Sequence, residues 1–380
     1  MMSILSRVNK YVLSVLTLSS VLGLATTACA QPVQSDTPLV SGNEYIAVVN
    51  RPNNLTFVDT QTDTIFKTCS LPDNFVPGTL QISPDHRRAY ILNNGFGDLY
   101  GVNMDDCKVV FHASLGINSS ERSKAMFSIA VSRDGKEIYT VANPTIMGTE
   151  SYEVLVPRLL VFSTGDGLDA KPIRVFSAPR QTSLIQVGND GALYIVGPDV
   201  YRVDAKTGRF KVYLPLRNWK RPGFGAPDVL YVWPSQNPQN TLDLLYTAPH
   251  FKDKNQDPAT ADTVYGIATI YLDTGKTELL DFTNFTEVYF TGARSPRDKN
   301  ILYAVLKHLH KFDIRQKKQI GSASLDHTYY TVSFNKSGSK LYLGGAASDL
   351  AVFNPDTMKQ TADIKLSGDM STTVPQAFVR

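Results

Sequence analysis

Short apolar runs separated by Gly, Asp and Asn turns follow one another along most of this chain, and no segment beyond the first 30 residues sustains the period of a long helix. The runs are rich in β-branched and aromatic residues, which suits an all-β chain. They also repeat. A polar turn followed by an apolar run containing tyrosine recurs as "SPDHRRAYIL" at Tyr90, "SRDGKEIYTV" at Tyr139, "GNDGALYIV" at Tyr194, "SPRDKNILYAV" at Tyr303 and "NKSGSKLYLG" at Tyr342. Weaker members at Tyr45 and Tyr246 bring the count to seven, at intervals of roughly 40 to 57 residues, the spacing of propeller blades with insertions.

Each unit continues with a phrase of the form apolar-x-Val/Phe-Asp/Asn and a turn, as in "LTFVDTQTD", "VYRVDAKTG" and "LAVFNPDTM", and then another alternating strand. Before each tyrosine strand lies a short apolar segment: "TLQIS", "FSIAV", "SLIQV", "VLYVW", "VYFTG" and "YTVSF". Four strands per unit predict a blade, with the inner strand buried on both faces and therefore reading as continuously apolar. The unit at Tyr45 lacks that inner strand, being preceded only by "QPVQSDTPLVSGN", whereas the chain ends on an unpartnered strand, "PQAFVR". The expected architecture is a seven-bladed β-propeller of four-stranded antiparallel blades, a single domain over residues 44–380. The C-terminal strand joins the N-terminal blade and removes the open sheet edges.

The start of the chain reads differently. A basic "MMSILSRVNK", an apolar stretch from Tyr11 to Ala25 and the small residues "TTACAQ" predict a signal peptide over residues 1–30, followed by an extension over 31–43. Cleavage at Ala28-Cys29-Ala30 to a periplasmic protein is favoured over lipid anchoring at Cys29, because the segment before Cys29 is a poor lipoprotein box. Formal net charge is +3, two of the positive charges being Arg7 and Lys10 of the leader. The body is close to neutral, so charge gives no support for nucleic-acid or membrane-surface binding.

Cleavage leaves Cys69 and Cys107. An even count in an oxidising compartment favours a disulfide. Against it, the register sets the two toward opposite ends of outer strands in neighbouring units, and bridged Cα atoms must lie within about 7 Å; a bond and two separate buried thiols both stay open.

In a four-stranded meander the loops leading into the inner strand share one face with the loops between second and third strands. On this chain those loops are long, and they interleave Phe96, Tyr152, Trp219, Phe224, Phe251, Tyr329 and Tyr330 with Arg, Asn and Asp. Asp369 lies in the last of them. Aromatic residues and arginine in long loops are what a protein interface or ligand site uses, so this face is the expected binding surface, with His327 of "LDHTYY" either contacting a partner or capping a turn.

Catalytic sets are missing. His308 and His310 in "LKHLH" share one side of a strand but have no third metal ligand nearby in sequence, so a hydrogen-bonded pair is expected and no metal site. There is no C-x-x-C-H haem motif, no EF-hand loop, no G-x-S-x-G turn, and "NNGFGDLYG" precedes a strand rather than a helix, which argues against nucleotide binding.

Several longer phrases are more specific than a blade repeat: "RPNNLTFVDTQTD", "LPDNFVPGTLQISPD", "YEVLVPRLLVF", "GLDAKPIRVFSAPRQ", "LPLRNWKRP", "PDVLYVWP", "FTEVYFTGARSP", "LDHTYYTVSFNKSGSKLYLGG" and "GDMSTT". From about Glu44 to the C-terminus the chain resembles the β subunit of quinohaemoprotein amine dehydrogenase. The resemblance implies a periplasmic, three-subunit enzyme that deaminates primary amines oxidatively to aldehydes. A small γ subunit carries cysteine tryptophylquinone, a dihaem cytochrome c α subunit accepts electrons, and this propeller subunit carries no cofactor of its own. Its implied work is to dock the quinone subunit and help wall the substrate cavity. "NNGFGDLYG" is smaller and more glycine-rich than that family leads one to expect. A stand-alone binding propeller of the YVTN type and the heavy chain of methylamine dehydrogenase are the alternatives.

Overall fold

A computed structural model describes residues 37–73, 76–229 and 240–380. The expected leader and Cys29 lie outside the described residues. Seven antiparallel sheets form the blades of a propeller. In blade 7, for example, Thr331–Phe334, Leu341–Gly344, Asp349–Asn354 and Lys359–Lys365 run from inner to outer edge. Among the described residues no helix is long and apolar enough to cross a membrane.

The repeated tyrosines lie in the second strand of each blade, and all seven are buried. Two of the rings lie against a glycine on the neighbouring strand, Tyr90 at Gly101 and Tyr246 at Gly266. In blade 5 Tyr246 pairs with Gly266 across the sheet, and a Cβ at Gly266 would stand 2.1 Å from the Tyr246 ring. Only glycine allows the ring to rest on the backbone there. In six blades the pairing of third and fourth strands shifts register, for instance at Phe57/Val58 and Val352/Phe353. Such bulges increase the twist of the outer edge.

The ring closes as the sequence pattern predicts. Gln376–Val379 pairs antiparallel with Glu44–Asn50, Tyr45 opposite Phe378, and completes the first blade from inside. The tail also reaches both neighbours. The Gln376 side chain donates to the Leu80 carbonyl (2.6 Å) and accepts from the Ile82 N–H (3.2 Å) of blade 2, while Ser333 of blade 7 donates to the Pro375 carbonyl (2.7 Å). Arg380 pairs with Asp105, and its backbone is held by Gly42 and Asn43. Phe378 is buried against Tyr45 and Phe57, a burial contributing about 1.5–3 kcal/mol.

Beside this seam Cys69 and Cys107 are joined by a disulfide, with Cα atoms 5.3 Å apart. The bond forms because Cys107 is not on an outer strand, as the register suggests, but in the turn after Asp98–Asn103, where a positive φ of 61° swings it toward blade 1. Lys67, buried nearby, donates its ammonium to the carbonyls of Thr37, Met104 and Asp105.

Three details depart from the sequence expectation. Blade 3 has a fifth strand, because Glu121–Val131 and Glu137–Met147 run beyond the sheet and Tyr152–Val154 adds to the overhang. In blade 6 the inner strand is Thr291–Arg294 rather than the apolar "VYFTG" around Val288. It buries Arg294, whose Nε lies 3.4 Å from Asp243 and whose guanidinium donates to Thr269, so an ion pair satisfies a charge that periodicity would place outside. Finally, inner strands are not apolar throughout: Gln81, Gln186 and Gln376 line the central channel. Of "VLYVW", only Val229 falls within the described residues, at the end of the strand Asp228–Val229.

Candidate binding face

The loops at one end of the ring bring together groups that sequence alone leaves scattered. At blade 7, His327 and Tyr329 from the loop before the inner strand meet Asp349, the first residue of the third strand. His327 Nε2 lies 2.9 Å from Asp349 Oδ1, Tyr329 donates its hydroxyl to Oδ2 (2.7 Å), and the two rings lie tilted against each other with centroids 4.2 Å apart. His327 Nδ1 lies 2.9 Å from the Thr328 carbonyl. Burial opposes a charge on His327, but the bonds to Thr328 and to the Asp349 carboxylate outweigh it and raise the imidazole above its ordinary pKa. Both ring nitrogens face acceptor oxygens, so the imidazole braces the loop rather than standing free as a base. Tyr329 is buried, and Tyr330 packs its ring 4.9 Å from Phe290.

One blade back, His308 and His310 open the third strand of blade 6, His308–Asp313. Alternation puts both on one side, as the sequence suggests, but the pair does have a third partner. Glu287, from the loop before Thr291–Arg294, places one oxygen 3.0 Å from His308 Nδ1 and the other 2.6 Å from His310 Nε2. His308 is exposed and His310 buried. The Nε2 contact lacks hydrogen-bond geometry, and neither nitrogen of His310 finds a hydrogen-bond partner among the described residues. Tyr289 and Phe312 pack against the His310 ring, at 5.4 and 5.9 Å, and against each other at 5.9 Å. Burial pushes the Tyr289 phenol up to about 12, so it stays neutral.

Trp219 and Phe224 serve a different purpose. Arg221, between them in sequence, stacks 3.8 Å over the Phe224 ring and pairs with Asp281 (2.7 Å), which also accepts from Tyr246 (2.6 Å). Burial opposes ionisation of Asp281, yet the bonds from Arg221 and Tyr246 hold it below the usual carboxylate range. Phe224 stacks on His250 at 4.4 Å and Trp219 meets Tyr246 edge-on at 5.1 Å. Both aromatics are therefore pinned to the core of blades 4 and 5.

Phe96 packs its ring 5.2 Å from Phe127, both with positive φ (68° and 62°), a conformation unusual for bulky residues. The ring lies where any Cβ at Gly78 would stand, 2.3 Å away. Phe127 lines the central channel cavity of about 360 Å³, which opens on the opposite end into a space of about 630 Å³ bordered by Ser83, Arg133, Asn189 and Asn240. Asp369 binds Arg51 through its backbone carbonyl (2.8 Å) and carboxylate (3.7 Å) and accepts from the Ser371 hydroxyl (2.6 Å).

Tyr152 is the most exposed of the sequence candidates, at 68%. It stands on the blade 3 overhang with Met126, Met147, Val154 and Val156, all exposed and apolar. Among the described residues Tyr152–Val154 pairs only with the distal half of Glu137–Met147, its outer edge unpaired. Glu121, buried and paired opposite Ile146, is clamped by Arg158 at 2.9 Å.

Sequence reasoning brings out His327, Tyr329 and Tyr152 but misses Asp349, Glu287, Arg221 and Asp281. For Asp349 a signal exists. Aspartate also opens the third strand at Asp98, where it lies 3.6 Å from His112.

No protein-family model and no curated protein matches the chain. Solved structures do. A protein of unknown function from Desulfotomaculum acetoxidans matches with a TM-score of 0.56 at 16% identity, over 88% of this chain and 98% of that one. Hydrazine synthase of Kuenenia stuttgartiensis matches with a TM-score of 0.53 at 16% identity, over 90% and 99%. The dihydro-haem d1 dehydrogenase NirN matches with a TM-score of 0.50 at 13% identity, over 92% and 77%. At such identities these likenesses show a shared propeller fold and nothing finer.

Proposed function

We propose that this protein is a non-catalytic docking propeller that binds a protein partner through its loop-bearing face. The observation that carries this reading is the blade 3 overhang, where Tyr152, Met126, Met147, Val154 and Val156 stand exposed beside a strand edge that is unpaired among the described residues. Apolar side chains grouped this way mark an interaction surface, and a free edge offers backbone groups for strand addition. The candidate aromatics of blades 4 to 7 are braced from below, which suits a rigid platform. Among the described residues no arrangement of nucleophile, base and oxyanion donors accompanies them.

The long sequence phrases support a specific form of this function. We read the chain as the propeller subunit of a periplasmic quinohaemoprotein amine dehydrogenase, its partners a small subunit bearing cysteine tryptophylquinone and a dihaem cytochrome c, its own chain holding neither group. The quinone subunit would sit on the loop face and the primary amine at their junction. The general fold likeness alone better suits a stand-alone YVTN-type binding propeller. Isolation from the native host separates the two: co-elution with a haem protein and amine-dependent dye reduction support the first, and a chain that elutes alone and colourless overturns it. Docking itself is tested by Tyr152→Asp with Val154→Asp, which should abolish co-elution and leave the thermal midpoint within about 1 °C, as exposed substitutions do.

A further inference from the structure

We propose that Glu287, His308 and His310 form a three-ligand site for a divalent transition metal of the Zn²⁺ class, with its fourth position open to solvent. The proposal goes beyond the docking function and does not depend on it.

The ligand set is of the right kind. Two imidazoles and one carboxylate, contributed by a strand and the loop beside it, bring one ligand atom each to within 4.8 Å of one another. Tetrahedral coordination of Zn²⁺ places such atoms about 3.3 Å apart, given metal–nitrogen and metal–oxygen distances near 2.0–2.1 Å. The existing approaches of 2.6 and 3.0 Å to Glu287 need only small side-chain rotations to admit an ion.

Satisfaction of polar groups points the same way. A buried imidazole ordinarily donates through one nitrogen and accepts through the other. His310 does neither among the described residues, although its side chain is only 10% exposed. A metal at Nε2 would supply the missing partner. Its ring is fixed by Tyr289 and Phe312, so the nitrogen is held in position before any ion arrives. His308, on the same side of the strand, is 46% exposed at its side chain. The site is thus closed toward the core and open outward, the form in which three protein ligands leave a position for water or an incoming group. Hard, oxygen-seeking Ca²⁺ and Mg²⁺ are poorly served by two nitrogens.

The test is a Zn²⁺ titration of the chelator-stripped, purified protein, by calorimetry and by competition with a chromophoric chelator. One equivalent should bind. Glu287→Gln and His308→Ala, both at partly or fully exposed positions, should each weaken binding by about 100-fold or more, whereas His112→Ala in blade 2 should not change it. Co²⁺ should give the intense visible bands of a four-coordinate ion in the native protein and not in Glu287→Gln. Affinity should fall as pH drops and the histidines protonate. Absence of a stoichiometric site, or equal affinity in native, Glu287→Gln and His308→Ala proteins, overturns the proposal and shows the trio to be an ion-pair cluster only. Neither result bears on co-elution with a partner, so the docking function stands or falls separately.

Discussion

The seam that closes the ring and the histidine corner of blade 6 are both made of polar groups from distant parts of the chain, but they end in opposite states. At the seam, Gln376 both donates to and accepts from the neighbouring blade, Arg380 meets Asp105, and Lys67 is surrounded by carbonyls. At the corner, His310 is as buried and makes no hydrogen bond among the described residues. A buried polar group without a partner costs about 1–3 kcal/mol. The seam invests its polar groups in stability, whereas the corner leaves His310 with the Glu287 carboxylate beside it and no hydrogen bond among the described residues. The corner of blade 7 lies on the docking face yet resembles the seam, since Asp349, His327 and Tyr329 satisfy one another.

If the seam is structural, removing it should have the largest effect of any local change. Deleting Pro375–Arg380 takes away a four-residue strand, the buried Phe378 and bonds to blades 2 and 7. The expected loss exceeds about 5 kcal/mol, comparable to the whole stability of many domains, with broadened thermal unfolding and association through the exposed edge of Glu44–Asn50. A sharp transition at the native midpoint would show that the tail does not close the ring.

The corner of blade 7 can be placed on one side of the comparison or the other by Asp349→Ala. The carboxylate is buried and serves two groups, so its loss leaves the Tyr329 hydroxyl and His327 Nε2 without that acceptor. Destabilisation of about 2–3 kcal/mol is expected in chemical denaturation. A change within about 0.5 kcal/mol would move this corner into the same class as the trio in blade 6, a cluster kept for something other than stability.

How much of this was legible beforehand follows from the range of the interactions. The seven tyrosine strands, the missing inner strand and the tail that fills it depend on local alternation and counting, and periodicity reveals both. Tyr152 and the loop face follow from loop length and composition. Glu287 does not, because it lies 21 residues from His308 (308 − 287) and reaches it only through the meander of blade 6. The disulfide stayed open because its geometry turns on one left-handed residue, Cys107, whose φ no hydrophobic pattern encodes. Arg294 misled the strand assignment for a related reason: its partner Asp243 belongs to another blade, and only that pairing lets a charge occupy an inner strand.

The smallest and most specific expectation concerns the charge on His327. Its folded pKa is raised, the bonds to Thr328 and Asp349 outweighing burial and the repulsion of Lys365. For a base whose folded pKa lies above its unfolded value near 6.5, the stabilisation is fully present below that unfolded value and is lost as pH rises through the folded pKa. Tyr329 keeps its proton across this window, because burial and the Asp349 carboxylate raise its phenol far above neutrality. The native protein should therefore be more stable than His327→Gln at about pH 6, and the gap should narrow toward about pH 9. Thermal midpoints of both proteins across that range supply the measurement. A gap that stays constant would mean that His327 braces the loop as a neutral ring, with its contact to Asp349 owing nothing to charge. A gap that widens with pH would mean that burial dominates, reversing the sign of the shift and removing the likeness between this corner and the seam.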